Sequence, residues 1–147
     1  MERNTRIDVR LANEAWESLM TAHATLMGVY ESEDMWCEAS MSEYDVLYTV
    51  AKGDGPMRIS EIQRGVLLSQ PALSRAVDRL VTRGLLAREA DATDGRAVRI
   101  SLTDEGVRVQ REIGRAHAKS IARDVGGALS DDEMRELRRL CSKLVGE

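Results

Sequence analysis

At 147 residues, 43% hydrophobic and 31% charged, the chain can bury one self-supporting core and is too apolar for a disordered tract. No apolar run approaches the roughly 18 residues of a membrane span, the opening Met-Glu-Arg-Asn-Thr-Arg lacks the apolar core of a secretory signal, and two cysteines are too few for a disulfide framework. These features point to the cytoplasm. The net charge of −4 is divided unevenly: residues 58 to 99 hold eight arginines against five acids, whereas six acids face no base between Glu31 and Asp45.

The first predicted element spans residues 5–30. Leu11, Ala15, Leu19, Ala22, Leu26 and Tyr30 form one helical stripe, with Ala12, Trp16, His23 and Met27 beside it. So wide an apolar face on so long a helix needs a partner. After the acidic stretch, Ser42 reads as an N-cap, with Met41 and Val46 as a hydrophobic staple, for a short helix ending near Ala51. Gly-Asp-Gly-Pro at 53–56 breaks it. Further helices are expected over 59–66 and 70–83, the latter closed by Gly84 in a left-handed conformation. Two strands, 85–89 and 97–102, flank the Asp94-Gly95 turn signal of a hairpin. A long helix capped by Thr103 should run to Val125 and stop at Gly126-Gly127. The last helix has the clearest start: Ser130 and Glu133 form a capping box, and Leu129 and Met134 its staple.

The helix at 70–83 carries the most readable chemistry. Leu73, Ala76, Val77, Leu80 and Val81 follow the spacing of a buried face. Ser69 is its expected N-cap, and Pro71 is tolerated because the first turn needs no amide donor. Gln70, Ser74, Arg75, Asp78 and Arg79 then face outward. Gln pairs with adenine and Arg with guanine in a major groove, and the helix N-terminus favours phosphate. The competing reading is a solvated helix face.

Ser-Gln-Pro-Ala-Leu-Ser-Arg-Ala-Val-Asp-Arg-Leu at 69–80, followed by Arg-Gly-Leu at 83–85, resembles the recognition helix of the multiple-antibiotic-resistance regulator (MarR) family. Asp-Gly-Arg-Ala-Val-Arg-Ile-Ser-Leu-Thr at 94–103 is similar to the family's wing. The resemblance implies a single mainly α domain over 1–147, with a winged helix-turn-helix at 42–102 whose β-hairpin is the wing. Helices at 5–30 and 103–147 would then mediate homodimerisation. It also implies a transcriptional repressor that reads a pseudo-palindromic duplex. Carried over by position, Arg96 enters the minor groove, Asp94 holds it by an ion pair, and Arg79 and Arg99 contact phosphates, with Arg88 a further candidate. Two residues depart from the pattern: Leu67, where a turn glycine is common, and Arg58, where a small capping residue is common.

An effector site is implied where the terminal helices meet the winged region; Trp16, His23, Tyr44 and Tyr48 are candidates for an aromatic or anionic small molecule, with core packing as the alternative. Some relatives sense oxidants through a cysteine in the first long helix. Here Cys37 lies after that helix among carboxylates, which raise a thiol pKa, and Cys141 sits on an apolar face. Redox sensing by Cys37 is therefore one alternative function. A winged protein-interaction module without DNA binding is another. No phosphate-cradling loop, nucleophile–base motif or metal-ligand spacing is present, so neither enzyme activity, cofactor nor metal is expected.

Overall fold

The computed structural model describes residues 6–147, and the chain forms two compact units, one ending at Glu33 and the other Asp34–Glu147. The first is built on helix α1 (Val9–Glu31), about 35 Å long at 1.5 Å per residue. Its N-cap is Asp8, whose carboxylate accepts from the Leu11 N–H at 3.0 Å. Thr5, the expected first residue, lies outside the described residues. Val9, Leu11, Trp16, Met20 and Val29 leave large apolar surfaces exposed along this helix.

The second unit contains α2 (Met41–Lys52), β1 (Met57–Arg58), α3 (Ile59–Gln63), α4 (Gln70–Thr82), β2 (Leu86–Ala90), β3 (Val98–Leu102), α5 (Asp104–Ala128) and α6 (Asp131–Val145). The three strands form an antiparallel sheet in the order β1-β3-β2. Strand β1 was not expected, because two residues carry no periodicity; Met57 and Arg58 pair with Ile100 and Arg99. The core joins Val46 and Leu47 of α2, Ile62 of α3, Leu73, Val77 and Leu80 of α4, Leu86 and Ile100 of the sheet, and Val109 of α5, all essentially inaccessible.

Several helix boundaries differ from expectation for local reasons. Helix α2 is capped by Ser40, not Ser42. Ser40 Oγ accepts from the Glu43 N–H at 3.2 Å, and the Glu43 carboxylate accepts from the Ser40 N–H at 3.0 Å. Arg83 is the C-cap of α4, with Gly84 one residue beyond at φ +74°. The Gly84 N–H reaches the Val81 carbonyl and the Leu85 N–H the Leu80 carbonyl at 3.0 and 2.9 Å, the paired bonds of a Schellman ending. Helix α5 runs through Gly126-Gly127 and ends only where the Leu129 N–H meets the Val125 carbonyl. Glycine costs a helix about 1 kcal/mol against alanine, which a 25-residue helix absorbs in its last turn. The capping box of Ser130 and Glu133 at α6 is present as expected.

The junction between α4 and α5 is closed by one hydroxyl. Thr103 Oγ1 accepts from the Gly106 N–H at 3.0 Å and donates to the Gly84 carbonyl at 2.6 Å. Gly106 is required here, because a Cβ on it would stand 2.0 Å from the Leu85 carbonyl oxygen. Gly106→Ala should therefore destabilise the protein by roughly 1 to 3 kcal/mol through overpacking. A Cβ at Gly126 or Gly127 meets open space, so alanine at either should stabilise by about 0.5 to 1 kcal/mol. Chemical denaturation of the three variants checks both signs.

Candidate nucleic-acid interface

Helix α4 offers one face to the core and the other to solvent. Leu73, Ala76, Val77 and Leu80 are buried, whereas Gln70, Pro71, Arg75, Asp78 and Arg79 are exposed and Ser74 is half-exposed. Ser69 caps the helix as expected, its Oγ accepting from the Ala72 N–H at 3.3 Å. The preceding turn is held by the Gln63 side-chain amide, which donates to the Leu68 carbonyl. No non-glycine residue among those described has positive φ, so the turn is made without a left-handed residue and Leu67 fits it.

The basic middle resolves into two classes of arginine. Arg58 and Arg99 both pair with Asp91, at 2.9 and 2.8 Å. Arg79 and Arg83 both pair with Glu43, at 3.3 and 3.5 Å, and Arg88 pairs with Asp78. Arg64, Arg75 and Arg96 are exposed, and their guanidinium groups make no ion pair or hydrogen bond among the described residues. One follows α3, one stands on α4 and one at the wing tip. Arg64 was not singled out from the sequence; only the pairing of its neighbours distinguishes it.

Asp91, not singled out from the sequence, organises the wing. Its buried carboxylate receives Arg58 and Arg99 on Oδ2, and the Thr93 N–H and hydroxyl on Oδ1 at 2.9 and 2.8 Å. The Thr93 amide, then the Arg58 guanidinium, the Thr93 hydroxyl and Arg99 hold this carboxyl far below the usual range. Asp94 does not ion-pair with Arg96; its carboxylate accepts the Arg96 backbone N–H at 3.1 Å, which shapes the turn and leaves the guanidinium outward. Arg99 also donates to the Pro56 carbonyl at 3.0 Å, fastening β3 to the strand-entry loop. The unusual Arg58 is explained as well. It starts α3 without a side-chain cap because a guanidinium has no acceptor for the helix amides; the Glu61 carboxylate accepts the Arg58 N–H at 3.3 Å instead, and the guanidinium serves Asp91.

A cavity of about 320 Å³ opens between α2 and α5, lined by Tyr44, Asp45, Tyr48, Gly114, His117, Ala118 and Ile121. Tyr44 and Tyr48, both predicted, stack at 6.0 Å; His117 meets Tyr44 edge-on at 5.7 Å, and Trp36 lies 5.5 Å from His117. Burial, against a weaker opposing hydrogen bond from Gln110, raises the Tyr44 phenol above its ordinary value. Trp16 and His23 are exposed on α1, in the other unit. Cys37 is exposed, with its Sγ donating to the Asp34 carbonyl at 3.0 Å, and Cys141 is half-buried. No helix among the described residues is long and apolar enough to cross a membrane.

Residues 40–97 match the sequence model of the MarR family. The chain is 31% identical over 107 residues to the HTH-type transcriptional regulator PecS of Dickeya dadantii, across 71% of this chain and 64% of that protein. It spans less than two thirds of the curated relatives it matches, 64% and 61% of their lengths. Among solved structures, Sco3205 of Streptomyces coelicolor, a MarR family regulator in complex with DNA, superposes with a TM-score of 0.79 at 22% identity, covering 98% of this chain and 91% of that one. The PcaV regulator of the same organism, in complex with its natural ligand, gives 0.68 at 27% identity with 96% of each chain covered. The helical order and the three-stranded sheet are those of the winged helix-turn-helix fold, and through residues 40–97, the helix-turn-helix and the first part of the wing, the chain is similar to the MarR family of regulators.

Proposed function

We propose that the protein is a homodimeric transcriptional regulator, a repressor that binds a pseudo-palindromic duplex and is released by a small aromatic or anionic effector. The observation that carries it is the placement of the uncommitted cations Arg64, Arg75 and Arg96, one on each part of a winged helix-turn-helix. In this reading Ser69, Gln70, Pro71, Ser74 and Arg75 meet the major groove at the N-terminal end of α4, and Arg96 enters the minor groove. Asp94, Arg79 and Arg99 frame these contacts through their own bonds. PecS is a transcriptional regulator and Sco3205 was solved with DNA, which supports the same role here.

Dimerisation is supported by the apolar surface left uncovered. Helix α6 buries none of its residues, and Leu137, Leu140, Leu144 and Val145 lie exposed on it, as do Val9, Leu11 and Trp16 on α1. Closed two-fold pairing is the commonest way to cover such faces. The cavity beside Tyr44 and Tyr48 favours an effector with an aromatic ring, and PcaV was solved with a natural ligand.

Selection from a random duplex pool tests the reading. Enriched sites should be inverted repeats with half-site centres about 10 bp apart, and sedimentation at micromolar concentration should show a dimer. A monomer, or an enriched site with no symmetry, would refute it.

A further inference from the structure

Arg75, Arg79 and Arg83 follow one another at intervals of four along α4, so they form a row on one side of the helix. Only the first is uncommitted. The other two converge on Glu43, which projects from α2 with its side chain 6% exposed, while theirs are 54% and 42% exposed. Arg79 Nε reaches Glu43 Oε2 at 3.3 Å, Arg83 reaches Oε1 at 3.5 Å, and Arg83 also donates to the Glu38 carbonyl at 3.1 Å. Burial would by itself raise the Glu43 carboxyl. The Ser40 amide and side chain, then Arg83 and Arg79, outweigh it and leave the carboxyl below its ordinary value, so the charge is present at neutral pH.

We propose that Glu43 is a specificity-determining residue that withholds Arg79 and Arg83 from DNA phosphates, confining the cationic contact of α4 to Arg75. The proposal rests on the DNA-binding reading above. Its physical content is a competition for two guanidiniums between a fixed carboxylate inside the protein and the mobile alternative of a phosphate outside. Phosphate contacts add affinity for every sequence alike. A protein that spends fewer cations on phosphate keeps a larger ratio between its own site and random DNA. Glu43 sits 36 and 40 residues from its two partners in sequence, yet sets how much of the row the duplex can use.

The test is the slope of log affinity against log salt on a 30-bp duplex of random sequence, where each neutralised phosphate contributes about −0.9. With Arg64, Arg75 and Arg96 available in each protomer, a wild-type dimer should give a slope no steeper than about −5, whereas engagement of Arg79 and Arg83 as well would bring it to about −9. Glu43→Gln keeps an acceptor for the Ser40 cap and removes the charge. It should tighten random-duplex binding and steepen the slope by roughly 2 to 4, and the triple change E43Q/R79Q/R83Q should cancel that gain. A purely structural role for Glu43 would lower the melting temperature without steepening the slope. A folded E43Q with the wild-type slope overturns the proposal, as does a wild-type slope near −9 should E43Q fail to fold. A wild-type chain that binds no duplex at any salt would remove the DNA-binding reading itself, a different outcome from either.

Discussion

Arg75→Ala should cost roughly 1 to 3 kcal/mol in each half-site and relax base preference at one position. Taken over two half-sites, with contributions that add approximately, affinity for the selected site should fall from about thirtyfold to beyond ten-thousandfold. Random-duplex affinity should fall much less. Arg96→Ala is expected to behave differently, because the minor groove is read by width and charge. Its loss should weaken binding to all sequences and flatten the salt slope by up to about 2 for the dimer. Neither guanidinium is used inside the protein, so both variants should retain wild-type melting curves and remain dimers. Selection profiles and salt titrations of the two variants check the assignment. If Arg96→Ala changed only base preference, or Arg75→Ala only the slope, the two elements would be assigned to the wrong grooves.

Asp91→Asn is expected to have the second large effect, although Asp91 faces no groove. Its carboxylate gathers β1 through Arg58, β3 through Arg99 and the turn through Thr93. Asparagine leaves two guanidiniums without their shared counter-charge and loosens the hairpin that presents Arg96. DNA binding should weaken by roughly ten- to a hundredfold, about what losing a wing contact produces, while the α4 face and its base preference stay intact. Acid should reproduce part of this result. Because the folded carboxyl titrates far below its ordinary value of 3.8, its stabilisation is complete at neutral pH and declines as pH falls below about 4. Glu43, also depressed from 4.5, adds loss of the same sign below about pH 4.5. Melting temperature against pH for wild type and Asp91→Asn should converge in acid; curves that stayed parallel down to pH 2.5 would argue against this role.

The sequence disclosed what is decided within a few residues. The Ser69 cap with Pro71, the apolar spacing of Leu73, Ala76, Val77 and Leu80, and the Ser130–Glu133 box are all local, and each stands where expected. The arginine partition was illegible because its carboxylates lie far from their partners: Asp91 is 33 residues from Arg58. Asp94, two residues from Arg96, was the nearer candidate, but its carboxylate turned out to serve the Arg96 amide. Gly106 escaped attention because its need is set by the Leu85 carbonyl, which only the fold brings close. Among the effector candidates, Tyr44 and Tyr48 share a helix and line one cavity; His117 joins them from α5, a neighbour that no spacing in the sequence announces.

The Thr103 hydroxyl, bonded to the end of α4 and the start of α5, makes that junction a fulcrum with unequal arms. Helix α5 extends 25 residues from it and α4 13, or about 37 and 20 Å. A swing of both helices as one rigid piece about this joint would move the far end of α5 nearly twice as far as Gln70 at the tip of α4. A displacement of about 4 Å where α5 ends would carry Gln70 by about 2 Å, well outside the distance range within which a base edge can be hydrogen-bonded.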